Sequence, residues 1–167
     1  AGTPIPGVHE KPAEGSPKPP RLAWLDVAAL PRPVLRDSGE ALPPAATGNL
    51  VSLLALSGQT PYEGLPEIFD LCAPGSLAAF SWAIFEAWRA AGEPSRNGWV
   101  LSQLAWLGDD GTVRRLTPII RVWPGQSGHA KAVKGLEVLT AIGTDVALIH
   151  LNGIAQKVTF NGLKRAA

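Results

Sequence analysis

Displace the stretch from Trp99 to Val158 against itself by 35 residues, with no gap, and its apolar positions coincide. Leu101 falls on Leu136, Leu104 on Leu139, Leu107 on Ile142 and Gly108 on Gly143. Past the glycine, Asp110 falls on Asp145, Val113 on Leu148, Leu116 on Leu151, Ile119 on Ile154 and Ile120 on Ala155. The pattern reads helix, glycine stop, acidic restart, helix, written twice. One helical hairpin cannot bury its apolar side alone, whereas stacked hairpins can, so a period of this kind predicts a repeat array. The clearest repeats are 98–123 and 129–158. A weaker one at 66–91 aligns with an offset of 36, placing Leu77 on Val113, Phe80 on Leu116 and Ile84 on Ile120. The predicted fold is all-α: a HEAT-like α-solenoid of stacked antiparallel helical hairpins.

The rest of the chain fits around that array. Residues 1–20 hold six prolines, which fix φ and remove amide donors, so they form a linker or strap and no regular element. The helical domain spans 21–167. Trp24, Leu25, Val27 and Leu30 give one short turn before Pro31, and Val34 and Leu35 anchor the chain ahead of a turn at 37–40. A first helix starts at Pro43 or Pro44 and ends before Gly58, burying Leu50, Leu53, Leu54 and Leu56. A short second one starts at Pro66. The third runs from an N-cap at Ser76 to Ala91, where Gly92 supplies a left-handed stop, and is apolar almost all round. The fourth covers 98–107, with Trp99 and Trp106 on one side. The fifth starts at the Asp109–Asp110 pair, with Asp110 placed to meet Arg114, and its interior Pro118 should kink it. A loop at 124–128 leads to the sixth helix, His129–Ile142, and Thr144 caps a seventh that ends near Val158, ahead of a turn at 160–162.

Composition limits function more than it specifies it. Residues 1–110 carry 7 basic and 12 acidic side chains, net −5, and residues 111–167 carry 8 and 2, net +6. Such asymmetry marks either a solvated helical face or a surface for a polyanion. No apolar run approaches the roughly 18 residues of a membrane span, and no signal-peptide core opens the chain. Cys72 is the sole cysteine, so no internal disulfide forms, which fits a reducing cytoplasm. No histidine lies near it in sequence, and it reads as a small buried hydrophobe. His129 and His150 are 21 residues apart, without metal-ligand spacing. No phosphate-loop, dinucleotide, nucleophile-elbow or zinc-protease motif occurs. The six tryptophans sit among leucines at helical spacing and read as core. No enzyme activity, cofactor, metal or small-molecule ligand is expected. The absent methionine and the helix-like ending at 162–167 point to an internal segment of a longer protein.

One constellation is left. Opposite the apolar stripe, Arg115 aligns with His150, Thr117 with Asn152, Arg121 with Gln156 and Val122 with Lys157. Side-by-side hairpins would bring Arg114, Arg115 and Arg121 beside His150, Asn152, Gln156 and Lys157, with Lys131 and Lys134 on the helix between. Repeat proteins bind along such faces. The stretches GWVLSQLAWLGDDGTVRRLTPIIRVWP and GHAKAVKGLEVLTAIGTDVALIHLNGIAQKVTFNGLKRAA resemble a bacterial family of MolR-like (molybdate metabolism regulator-like) proteins, long chains that often carry a WGR domain elsewhere. The resemblance is specific over 76–167 and looser over 24–71. It implies a HEAT-like segment of a larger protein and supplies no catalytic residues. The function expected is a non-catalytic scaffold contacting a protein partner or other domains of its own chain. The alternative is a solenoid that binds nucleic acid through its basic C-terminal half.

Overall fold

The computed structural model describes residues 22–166, with side chains through residue 157; the strap expected at 1–20 lies outside the described residues. Seven α-helices and three short 3-10 turns make up the described chain, which holds no strand beyond two isolated bridges. The all-α expectation holds. The chain divides into two compact units, Ala1–Leu107 and Gly108–Ala167.

The first unit contains α1 (Pro44–Leu56), α2 (Leu65–Leu71), α3 (Pro74–Ala90) and α4 (Trp99–Leu107). In α3, Leu77, Phe80, Trp82, Ile84, Phe85 and Trp88 are all buried, so its near-uniform apolarity does mark an interior helix. Gly92, at φ 89°, ends it in the left-handed conformation expected there. Its start differs from expectation. Ala73 is the N-cap, Pro74 opens the helix, and Ser76 lies one turn inside. The Ser76 hydroxyl donates to the Ala73 carbonyl at 2.7 Å and accepts from the Val34 amide at 3.0 Å. Ser76 therefore pins the N-terminal segment onto the helix instead of capping it. Around that pin, Ala73 N donates to Val34 O and Arg36 N to Leu71 O, both at 2.9 Å, so Val34 and Leu35 anchor the chain as predicted. Trp24 is held to the α4 end by a bond from its Nε1 to Asn97 Oδ1 at 3.1 Å and by stacking on Trp99, with ring centroids 6.4 Å apart.

The second unit contains α5 (Asp110–Val122), α6 (His129–Ile142) and α7 (Asp145–Ala166). Asp109 caps α5 in a reciprocal box with Thr112: Oδ1 accepts the Thr112 amide at 3.1 Å, and Thr112 Oγ1 accepts the Asp109 amide at 3.1 Å. The helix continues through Pro118, which leaves the Arg114 carbonyl without the amide donor that proline lacks. Part of the loop expected at 124–128 is a 3-10 turn, Trp123–Gln126, reversed by Ser127 at φ 60°. Trp123 is buried beneath it. The α6–α7 junction is as predicted. Gly143, at φ 64°, ends α6, and Thr144 Oγ1 accepts from the Ala147 amide at 3.2 Å. The far end of α7 is not. It runs through the turn expected at 160–162 to Ala166, because an interior glycine costs a helix only about 1 kcal/mol and no proline follows.

Close approach of α6 to α5 depends on Gly135. A Cβ there would lie 2.6 Å from Ile120 Cγ1. The core of the unit is Val113, Leu116, Ile120, Trp123, Ala132, Val138, Leu139, Ala147 and Ile154. Leu136 and Leu151, predicted as buried stripe positions, are half-buried.

Candidate interaction surface

Helices α5 and α7 lie side by side and run the same way. Asp110 Oδ1 accepts from Thr144 Oγ1 at 2.6 Å across 34 positions of sequence. About two turns on, Thr117 Oγ1 lies 2.9 Å from His150 Nδ1 across 33. Another turn on, the Arg121 guanidinium passes over Gly153, where a Cβ would lie 3.4 Å from Nη2. Contacts that advance together along both helices define a parallel pair. Asp110, Arg114, Thr117 and Arg121, spaced four, three and four, share the side of α5 that meets α7. Val146, His150, Gly153 and Lys157, with the same spacing, share the facing side of α7.

The contacts fix chemistry as well as placement. Thr117 has one hydroxyl hydrogen, which it donates to the Val113 carbonyl at 2.7 Å. Its oxygen therefore accepts from His150, so Nδ1 is the donating nitrogen of the ring. Asp110, predicted to meet Arg114 within its own helix, accepts from Thr144 instead. The short, rigid threonine hydroxyl is already placed there by its capping role, whereas Arg114 is exposed and pays side-chain entropy to reach back.

The nine residues expected to form one polar face divide into four groups. Arg121 and His150 meet the partner helix at the α5–α7 seam, while Arg114 and Lys157 are exposed on the same sides of α5 and α7. Arg115 is exposed about a third of a turn away from that seam. Lys131 and Lys134 belong to α6. The Lys131 ammonium sits 5.9 Å from the centroid of the Trp123 ring, and Lys134 is 3.4 Å from Glu137 Oε2. Asn152 and Gln156 point outward from α7, on the side away from the seam.

That outer side also carries two large apolar residues that the repeat register had hidden. Leu148 is 53% exposed and Ile149 69% exposed, while Val113, the repeat mate of Leu148, is fully buried. The correspondence between α5 and α7 holds in sequence and fails in burial: α7 packs through Ala147, His150 and Ile154, one residue round from the stripe that α5 buries. A signal of this was present in the alignment. Ile149 falls on Arg114, an apolar residue where the mate is an exposed cation.

Elsewhere, Cys72 is buried, and desolvation pushes its thiol above the ordinary range while nearby Arg36 opposes the shift. Such a thiol is a poor nucleophile. A groove of about 530 Å³ in the first unit is floored by Ala83, Ala87, Ala90 and Ala91 and walled by Trp24, Leu25 and Leu30. Its one acid, Asp26, is engaged in capping the Ala28 amide. Among the described residues no three metal-ligating side chains gather, and no helix is long and apolar enough to cross a membrane.

The chain is 41% identical over 103 residues to the uncharacterized protein YehI of Escherichia coli (strain K12). The match covers 62% of this chain and 8% of that protein, so the chain spans a small fraction of its relative. No protein-family model matches the chain. No solved structure matches it either.

Proposed function

We infer that this chain is a non-catalytic, HEAT-like scaffold segment of a larger bacterial protein, contacting protein partners or other domains of its own chain in the cytoplasm. The observation that carries this reading is the parallel stacking of α5 on α7 with the antiparallel α6 between them. That arrangement is the unit from which an α-solenoid is propagated. The MolR-like resemblance and the length of the E. coli relative agree with a segment embedded in a long chain.

A nucleic-acid reading draws on the net +6 of residues 111–167. Against it, the cations lie in separate groups, and Lys134 is already near Glu137. Fluorescence anisotropy of labelled duplex and single-stranded DNA and RNA, at low and physiological salt, separates the two. The scaffold reading expects no binding even at low salt. Micromolar binding that falls steeply with salt, and that is lost in an Arg114/Arg115/Arg121 to Glu variant, would overturn it, because phosphate contacts release counterions.

A further inference from the structure

The outer face of α7 repeats the pattern of the α5 face that meets α7. A displacement of 35 residues carries Asp110, Arg114, Thr117 and Arg121 onto Asp145, Ile149, Asn152 and Gln156. On α5 these positions do definite jobs. Asp110 receives the capping threonine of the next parallel helix, Thr117 receives its His150, and Arg121 lies across its glycine. On α7 the carboxylate is kept, a hydrogen-bonding Asn152 replaces the threonine, and a long polar Gln156 replaces the arginine. The one change of character is Arg114 to Ile149, which adds apolar surface beside Leu148. An acid, a hydrogen-bonding side chain, a long polar side chain and two exposed apolar groups at the period of the array are not what solvation requires. Lys and Glu would serve that end better.

We propose that the outer face of α7 is a socket for one further helical hairpin of the same polypeptide. The second helix of that hairpin would lie parallel to α7, as α7 lies on α5. The inference rests on the scaffold reading and names its contact. The incoming helix has a Ser or Thr N-cap that donates to Asp145, a hydrogen-bonding residue six positions later that meets Asn152, and a glycine three beyond that which admits Gln156. These are the spacings of Thr144, His150 and Gly153. Docking buries Leu148 as fully as Val113 is buried now.

The chain itself supplies a hairpin with those spacings, residues 123–157, and this is the probe. A copy is joined after Ala167 through a Gly/Ser linker of about fifteen residues, whose reach is about 20 Å. A Leu148→Cys substitution in the host reports the face by its rate of maleimide labelling, against the buried Cys72 as slow background. Labelling at least ten-fold slower than in the unextended Leu148→Cys chain is the expected result. Ile154→Asp in the copy alone should restore the fast rate. Fast labelling in the extended chain, with the host's helical signal and melting transition retained, overturns the socket. Slow labelling that already appears in the unextended chain, and deepens with its concentration, makes a second copy the occupant and overturns the proposal as well. Failure of the socket leaves the anisotropy result unchanged, whereas nucleic-acid binding would overturn the scaffold reading whatever the labelling rate.

Discussion

Two glycines on facing helices look alike in sequence and differ at the level of single atoms. Gly135 sits where Ile120 Cγ1 would be 2.6 Å from a new Cβ, closer than carbon atoms approach, and Trp123 crowds the same point at 3.3 Å. Gly153 meets only the far end of the flexible Arg121 side chain, at 3.4 Å. Removing either glycine from a helix interior should gain up to about 1 kcal/mol of helix propensity. At Gly135 that gain is outweighed by overpacking, which costs about 1–3 kcal/mol. Gly135→Ala should therefore lower the urea midpoint, and Gly153→Ala should leave it level or raise it. Equal effects in the two variants would show that α6 does not rest on α5 through Gly135. Neither distance was legible in the sequence. A glycine chosen for contact and one left by tolerance differ only in their neighbours.

At the level of elements, the sequence indicated where helices start and stop far better than what holds them together. The stops at Gly92 and Gly143 are local backbone requirements, and residues alone reveal them. Ser76 misled because the preference for a hydroxyl at an N-cap is also met one turn inside a helix, when another segment offers an amide. Gln103 carries no signal in the sequence, yet it joins α4 to α3. Its Nε2 donates to the Ser81 and Val100 carbonyls, both at 3.0 Å, and the side chain is fully buried. Its Oε1 and the nearby indole nitrogen Trp99 Nε1 have no partner, so the joint depends on the amide's two donors. Gln103→Glu puts a carboxylate against two carbonyl oxygens at nearly constant volume. The expected cost is about 3 kcal/mol or more at neutral pH, since a buried charge is left facing like partial charges. Part of it should be recovered under acid conditions that protonate the new carboxyl and restore one donor. A melting temperature unchanged at neutral pH would mean that α3 and α4 are joined by apolar packing alone.

Across the whole molecule, the 35-residue period and the burial pattern answer different questions. On the scaffold reading proposed above, the period records which positions of each helix are built to meet a neighbour. Burial records which neighbours are present. For α5 the two agree: Val113, Leu116 and Ile120 are periodic and buried. For α7 they part, and Leu148 stands exposed where the period gives α5 the buried Val113. That is why the all-α class and the helix boundaries could be read from the residues, while the proposed polar face could not. Asn152 and Gln156 were grouped with the arginines by alignment, although a helix presents one side to the seam and another outward. The distinction can be measured with repeat mates. Val113→Ala should cost about 1.5–3 kcal/mol, the price of apolar burial plus the cavity left behind. Leu148→Ala removes more hydrocarbon yet should change stability by no more than about 0.5 kcal/mol, since its side chain already faces water. Denaturant titration of the two variants gives both numbers under one set of conditions. Comparable losses would mean that α7 is turned to bury Leu148 in solution, and the repeat would then be symmetric in packing as well as in sequence. A large loss at Val113 alone fixes α7 in the rotation described here, with its outward face still to be covered.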